Sequence, residues 1–198
     1  MPRRYTLGKR GEAHAETRLR IIEATLRLYR EVGVAAATVP VIARAADVAP
    51  ATVRNHFPGP TELAEAAADA ILVDVGMPDE AIFDGADGPI ERLERLLREL
   101  AAFFERATGW WQVREADRGG LGAWAMPEAR YDARTQALIR TAVAPLDDDP
   151  VVVGVIAAVL VHVYFAARTS GLASDEAVDV ELGLLVPWLA GRLAEPTA

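Results

Sequence analysis

The sequence contains no cysteine, and this absence narrows the kinds of site that the chain can carry. Disulfide bonds, zinc sites built on thiolates and cysteine nucleophiles are all excluded. The first residues, Met1-Pro2-Arg3-Arg4-Tyr5, are basic but are not followed by the apolar stretch of a secretory signal. With 52% apolar and 25% charged residues among 198, the composition is that of a folded globular protein, which we expect in the cytoplasm.

Residue patterns that support catalysis are also scarce. The run Gly119-Gly120-Leu121-Gly122 lacks the spacing of a phosphate-binding loop, and no strand pattern precedes it. The three histidines lie far apart in the sequence, and none has a second metal ligand four residues away. Asp147-Asp148-Asp149 could bind a metal, but acids before an apolar helix are better explained by the helix dipole. We therefore expect no enzymatic activity, no cofactor and no metal site.

The net charge of −8 conceals a strong asymmetry along the chain. Residues 1–57 carry ten basic and five acidic side chains, whereas residues 58–198 carry eleven basic and twenty-four acidic ones. A basic N-terminal segment on an acidic remainder suggests that only the first segment meets a polyanion. The alternative is that these charges are scattered over solvated helix faces.

The apolar periodicity predicts an all-α protein of about nine helices. In the first helix Leu19, Ile22, Leu26 and Tyr29 recur at steps of three and four, and Gly33 ends it. Short second and third helices follow within residues 38–57. The later predictions are a fourth helix over 60–75, a fifth from Pro89, a sixth from Trp110 to Gly119-Gly120, and a seventh from Pro127. We place a domain boundary at residue 58, between an N-terminal domain, 1–58, and a larger helical domain, 59–198.

The two C-terminal segments are unusually apolar. Residues 151–167 hold one polar residue, His162, and could form a short membrane span, a buried strand or a buried helix. The absence of a turn signal before Ser170-Gly171 favours the helix, with Asp149 as N-cap. The last helix follows Ser174-Asp175-Glu176 and has two apolar faces: Ala177, Val180, Leu184 and Trp188 on one, and Leu182, Leu185, Leu189 and Leu193 on the other. One face fits the chain's own core, and the other predicts a second copy of the chain, bound through residues about 150–194.

Residues 38–57 have the spacing of a helix-turn-helix. Thr38 is predicted to cap the first short helix with its hydroxyl, and Asp47 occupies a turn position where a left-handed conformation is tolerated. Pro50 suits the first turn of the second short helix, on which Val53 and Phe57 face inward. A helix that projects in this way fits the major groove of B-DNA. Its predicted exposed side chains are Pro50, Ala51, Thr52, Arg54, Asn55 and His56.

These residues resemble the TetR family of bacterial transcriptional regulators. The resemblance is strong over residues 18–63 and extends to the whole chain through the number and lengths of the helices. The matching positions are Arg18, Ile22, Ala24, Gly33, Thr38-Val39, Ile42-Ala43, Ala46, Val48, Thr52-Val53, His56-Phe57 and Glu62-Leu63. The departures are Asp47 for a turn glycine, Ala49 for a capping serine, Ala51 for a glycine, Arg54 for an aromatic that meets phosphate, and Pro60 for a lysine.

The resemblance implies a homodimeric repressor that binds an inverted-repeat operator and is released by a small-molecule effector. It implies that the last two helices pair with their mates as a four-helix bundle. Carried over by position, Thr38, Thr52, His56 and Arg54 would contact phosphates, and Pro50, Ala51 and Asn55 would face base edges. A basic arm that could lie along a groove is formed by Arg3, Arg4, Lys9 and Arg10.

The sequence offers candidates for an effector site in the body without locating the site. They are Phe103, Phe104, Trp110, Trp111, Trp124, Tyr131, His162, Tyr164 and Arg168. A pocket of this composition would favour an apolar or aromatic compound. Aromatic residues at helical spacing are equally well explained as core, and a single histidine on an apolar helix as a hydrogen-bonded core residue.

A second function remains open at this point: a helical ligand-binding or adaptor protein whose DNA binding has degenerated. The departures at Ala51, Arg54 and Pro60 favour it. The basic surplus of residues 1–57 argues against it.

Overall fold

The computed structural model describes the backbone of residues 7–116 and 121–195, and the side chains of residues 11–59, 61–113 and 128–195. The described part is all-α, as predicted, with eight α-helices and one 3₁₀ helix. The helices are α1 (Leu7–Val32), α2 (Val39–Ala45), α3 (Pro50–His56), α4 (Pro60–Val75), the 3₁₀ helix (Glu80–Phe83), α5 (Pro89–Ala116), α6 (Leu121–Val143), α7 (Pro150–Thr169) and α8 (Ser174–Ala194).

The predicted boundary between a fifth and a sixth helix is wrong. Helix α5 runs without a break through Trp110 to Ala116, because its buried stripe continues from Leu100 through Phe104 and Ala107 to Trp110. A single interior glycine, Gly109, costs only about 1 kcal/mol relative to alanine, which continuous packing outweighs. The predicted end of the sixth helix at Gly119-Gly120 lies outside the described residues.

The predicted start of the next helix is also wrong. Helix α6 begins at Leu121, so Pro127 is its seventh residue and not its first. Proline has no backbone N–H. In the first turn of a helix this N–H would have no partner within the helix, but at the seventh position its absence removes one backbone hydrogen bond. The helix nevertheless continues to Val143. Its C-terminal end is buried, because Ile139, Ala142 and Val143 are all inaccessible to solvent.

The chain divides into two compact units. The first combines residues up to Asp74 with residues 109–130, and the second combines residues 75–108 with those from Tyr131 onward. In the first unit, α1, α2 and α3 share one apolar core whose buried members are Ile21, Ala24, Leu28, Ile42, Ala43, Ala46, Val53, Phe57 and Leu63. This core supports the helix-turn-helix.

The second unit is built around α5, α6, α7 and α8. Arg92 of α5 donates to the carbonyls of Ala142 (3.1 Å) and Ala144 (2.8 Å) and so fixes the end of α6. Gly76 follows α4 with φ +73, a conformation that favours glycine, and Arg106 donates 2.8 Å bonds to the carbonyls of Val75 and Gly76.

Helix α7 confirms the helical interpretation of residues 151–167. Asp149 is its N-cap, as predicted, and accepts from the backbone N–H groups of Val151 (2.8 Å) and Val152 (3.3 Å). By length and composition α7 is the one helix of the described part that could cross a membrane, with a mean hydropathy of 2.3. Only 28% of that apolar window is buried within the chain.

Helix α8 shows which of its apolar faces belongs to the core. Ala177, Val178, Leu185 and Leu189 are buried, whereas Val180 and Leu184 are exposed. The predicted grouping of Ala177 with Val180 and Leu184 is therefore wrong, since Ala177 lies on the inner face. The exposed large apolar residues of α7 and α8 are Val151, Phe165, Val180 and Leu184.

Candidate functional site

The turn between α2 and α3 sets the direction of α3. Asp47 has φ +53, which confirms the left-handed turn expected at this position. The N–H of Val48 bonds to the carbonyl of Ala43 at 2.9 Å and closes the turn. Thr38 occupies the N-cap position of α2, but its hydroxyl makes no capping bond, so that part of the prediction is wrong. Pro50 is the first residue of α3, as expected.

One face of α3 is exposed and the other is anchored in the core. Val53 and Phe57 are buried in the core of the first unit. The exposed residues of α3 are Pro50, Ala51, Arg54 and Asn55, while Thr52 and His56 are half-buried and Thr38 is exposed before α2. The structure therefore brings Pro50, Ala51, Arg54 and Asn55 onto one helix face, with two hydrogen-bonding side chains among them.

The positive charge of this surface is not neutralised by neighbouring acids. Arg54 is exposed and forms no ion pair with any side chain that the structure describes. Arg44, in the last turn of α2, is also exposed and unpaired within the same part of the chain. Arg44 was not among the predicted site residues. Its place in the last turn of α2, just before the loop that leads to α3, could have indicated a DNA contact from the sequence. Two uncompensated guanidinium groups suit contacts with phosphates.

The C-terminal end of α3 is fixed to α1. Arg18 donates to the carbonyl of His56 (3.2 Å) and its guanidinium lies 4.2 Å from the centre of the Phe57 ring. The rings of His14 and His56 are 4.1 Å apart. Burial, with His14 and Arg18 acting in the same direction, lowers the pKa of His56. His56 is therefore neutral at pH 7, and its position is determined by α1 contacts.

An aromatic cluster in the second unit unites several of the predicted effector-site residues. The rings of Phe103 and Tyr131 stack with centroids 5.7 Å apart and planes 10° from parallel. Phe104 lies 6.0 Å from Tyr131, 5.2 Å from Tyr164 and 5.0 Å from Phe165, measured between ring centroids. Three helices, α5, α6 and α7, thus contribute aromatic side chains to one place.

The remaining candidates lie apart from the ring contacts of this cluster. Trp110 belongs to the first unit, where Arg30 lies 4.1 Å over its ring and Asp74 accepts from its indole at 3.4 Å. Trp111 is half-buried, and His162 is exposed on α7, so it is not a core residue. Arg168 pairs with Glu105 at 2.9 Å, and the Tyr164 hydroxyl contacts Glu105 at 3.2 Å. The side chain of Trp124 and the arm residues Arg3, Arg4, Lys9 and Arg10 lie outside the described side chains.

Two buried polar residues beside the aromatic cluster were missed by the sequence analysis. Glu181 is 1% exposed and Thr135 is 4% exposed. Oε1 of Glu181 has no hydrogen-bond partner among the described residues. Burial raises the pKa of Glu181 to about 8. Burial also raises the pKa of Tyr131 to about 12; a hydrogen bond with Thr135 opposes the rise, and the charges of Asp132 and Glu181 add to it. The signal for Glu181 was its spacing, four residues from both Ala177 and Leu185 on the inner face of α8.

Comparison with known proteins identifies the first unit. Residues 21–67 match the family model described as bacterial regulatory proteins of the tetR family, and this range contains both helices of the helix-turn-helix. The match covers about a quarter of the chain, all of it within the first unit. No curated protein matches the chain.

Two solved structures share the TetR fold over nearly the whole chain. A protein assigned to the TetR-family transcriptional regulators, from Rhodococcus sp., has a TM-score of 0.57 at 20% identity and covers 88% of this chain and 99% of its own. The multidrug binding protein EbrR, complexed with imidazole, has a TM-score of 0.54 at 23% identity and covers 100% of this chain and 96% of its own. At these identities the likeness concerns the fold.

Proposed function

We propose that this protein is a transcriptional regulator of the TetR family, a cytoplasmic repressor that binds an inverted-repeat operator as a homodimer and is released by a small-molecule effector. The observation that carries the DNA-binding part is the exposed face of α3, where Arg54 and Asn55 project from a helix anchored by Val53 and Phe57. A helix of this kind fits the major groove and presents hydrogen-bond donors to it.

Within this surface we assign two kinds of contact. Thr38, Thr52 and His56 position the protein on phosphates, together with Arg54 if its guanidinium takes the place of the aromatic usual in the family. Pro50, Ala51 and Asn55 face base edges. Arg44, exposed and unpaired within the described residues, adds a phosphate contact. The division into a DNA-binding domain, 1–58, and an effector-binding and dimerisation domain, 59–198, is part of this proposal.

The exposed apolar residues of α7 and α8 support the homodimer. Leu184 is 54% exposed and Val151 is 59% exposed, although both lie on strongly apolar helices that pack on each other. Exposed large apolar residues on two helices that pack together are typical of an interaction site. A membrane would also cover α7, but a second copy covers both helices with one self-complementary contact. We therefore assign this surface to the partner subunit.

The effector part of the proposal is supported by the aromatic cluster of Phe103, Phe104, Tyr131 and Tyr164. These rings, contributed by three helices, provide the apolar walls that small-molecule sites usually have. EbrR, which shares the fold, is a multidrug binding protein whose structure holds imidazole. The fold is therefore compatible with small-molecule binding.

The test is binding of the purified protein to DNA from upstream of its own coding sequence, by gel shift at two salt concentrations. A retarded complex that weakens steeply with salt supports the proposal, because phosphate contacts release counterions. A protein that binds no DNA at either salt concentration would instead be the helical ligand-binding protein with degenerate DNA binding.

A further inference from the structure

Two histidines from different helices meet at the C-terminal end of α3. The rings of His14, on α1, and His56, the last residue of α3, have centroids 4.1 Å apart and planes 41° from parallel. His56 follows Asn55 directly, so the pair lies at the end of the exposed face that α3 is proposed to present to DNA. His14 is exposed to solvent and lies outside the helix-turn-helix. The pair is thus a surface feature of the first unit and not part of its core.

The surroundings of the pair are basic. Arg18, one turn after His14 on α1, donates to the carbonyl of His56 at 3.2 Å. Arg10 precedes His14 by four residues in the sequence. The charged groups that act on the pKa of His56 are His14 and Arg18, and no acidic side chain is among them. A group of basic side chains of this kind suits a phosphate.

The two rings differ in their capacity to take up a proton. Nδ1 of His56 is buried and has no hydrogen-bond partner among the described residues. A proton placed there would be a buried donor without an acceptor, and burial, with His14 and Arg18 acting in the same direction, lowers the pKa of His56. The neutral His56 ring therefore carries its proton on Nε2. An additional proton goes to His14, which is exposed.

We propose that His14 and His56 form a binding site for a phosphate of the DNA backbone, in which His14 takes up a proton as DNA binds. The proposal rests on the proposed function and adds to it a residue outside the helix-turn-helix and a dependence of DNA affinity on pH. In the complex, protonated His14 pairs with a phosphate oxygen, and Nε2–H of neutral His56 donates to the same phosphate. The proton comes from the solvent, and the phosphate stabilises the charge that it brings.

The geometry limits how many protons the site takes up. Two imidazolium rings at 4.1 Å, beside the guanidinium of Arg18, would repel each other, so His56 stays neutral while His14 is charged. Uptake is therefore limited to about one proton per subunit. Because the complex binds more protons than the free protein, DNA affinity rises as pH falls through the range in which histidine titrates.

The experiment measures the DNA affinity of the full-length protein by fluorescence anisotropy at about pH 8 and about pH 6, at constant salt. The probes are a duplex from upstream of its own coding sequence and a duplex of arbitrary sequence, because a phosphate contact does not depend on sequence. We expect the wild type to bind both at least about fivefold more tightly at the lower pH. His14→Gln should bind with the same affinity at both pH values. His14→Arg, which carries a permanent charge, should bind at the higher pH about as tightly as the wild type does at the lower one.

The matched control is Arg20→Gln, which removes an exposed cation from the same helix. Its affinities should show the wild-type ratio between the two pH values, and circular dichroism at both pH values confirms that each variant is folded. Equal affinity of the wild type at the two pH values, or an increase that persists in His14→Gln, would overturn the proposal alone. Binding of neither duplex at either pH would reject the proposed function together with it.

Discussion

Arg54 occupies a position on α3 where the TetR-family pattern has an aromatic, and it is exposed without an acidic partner in the described residues. We expect Arg54→Ala to weaken operator binding, because a guanidinium pairs with a phosphate or forks onto a guanine edge. Fluorescence anisotropy over a range of salt concentrations distinguishes the two contacts. Loss of a phosphate contact weakens binding to all DNA sequences alike and lowers the slope of log affinity against log salt by about one. Loss of a guanine contact weakens binding by about 1–3 kcal/mol and relaxes the sequence specificity at one base pair.

Arg98→Ala is the control for this measurement. Arg98 is an exposed arginine of the second unit, so the variant removes the same charge without altering α3. Arg54→Ala should keep the wild-type melting temperature, since exposed substitutions change stability by about 0.5 kcal/mol or less. Unchanged DNA affinity in a folded Arg54→Ala protein would show that this side chain faces solvent in the complex.

Glu181 gives the protein a specific pH dependence of stability. Its pKa in the folded state, about 8, lies above the ordinary value of 4.5, because burial disfavours the carboxylate. The folded state binds the Glu181 proton more tightly than the unfolded state does. This contribution to the free energy of unfolding is therefore fully present below about pH 4.5 and is lost as pH rises through 8. Urea unfolding of Glu181→Gln should show less decline over this range, and the variant should exceed the wild type at pH 9 by about 5 kcal/mol at most. Parallel pH profiles for the two proteins would contradict the buried carboxyl.

Single residues were predicted unevenly from the sequence. The exposure of Pro50, Ala51, Arg54 and Asn55 followed from helical spacing, because Val53 and Phe57 define the buried side, whereas Thr52 and His56, also predicted to be exposed, are half-buried. Glu181 was missed because α8 is apolar on more than one side, so its inner face could not be recognised from periodicity alone. The structure resolves this ambiguity by burying Leu185 and Leu189.

Among the elements, the turn between α2 and α3 depends on Asp47. Its φ of +53 is unfavourable for most residues and easy for glycine. We expect Asp47→Gly to keep or slightly raise the melting temperature of the folded protein. Asp47→Val should lower the free energy of unfolding by about 1–2 kcal/mol, because a β-branched side chain resists this conformation. Thermal unfolding checks both, and equal melting temperatures for the two variants would mean that the turn is not left-handed.

Helix ends were predicted correctly where a glycine signals the end of the helix, and less well where no such signal is present. Gly33, Gly76 and Gly171 follow the ends of α1, α4 and α7 with positive φ. The predicted helix starts at Trp110 and Pro127 do not exist, because both residues lie inside longer helices, α5 and α6. For α5 the deciding factor was tertiary burial up to Trp110, which local sequence does not encode.

At the scale of the whole molecule, the exposed residues of α7 and α8 predict the assembly. We expect Leu184→Glu to convert the dimer into a monomer, because it places a charge on an apolar contact that both subunits share. Light scattering at micromolar concentration measures this directly. Charges at Leu185 or Leu189 would not test the interface, since both are buried within one chain and their replacement disrupts the core.

Val73→Glu is the matched control for the assembly. Val73 is 73% exposed on α4, so the same substitution there introduces the same charge on another exposed apolar residue. This variant should remain dimeric. A wild-type protein that is monomeric at micromolar concentration, or a Leu184→Glu protein that stays dimeric, would reject this interface.

The central claim is that two copies of the chain read a two-fold symmetric operator through α3. Footprinting of the wild-type protein on DNA upstream of its own coding sequence tests it most directly. We predict two protected half-sites related as an inverted repeat, with centres about one helical turn or a multiple of it apart. Both should be lost together in Leu184→Glu. A single protected half-site, or protection of DNA without inverted symmetry, would contradict the account.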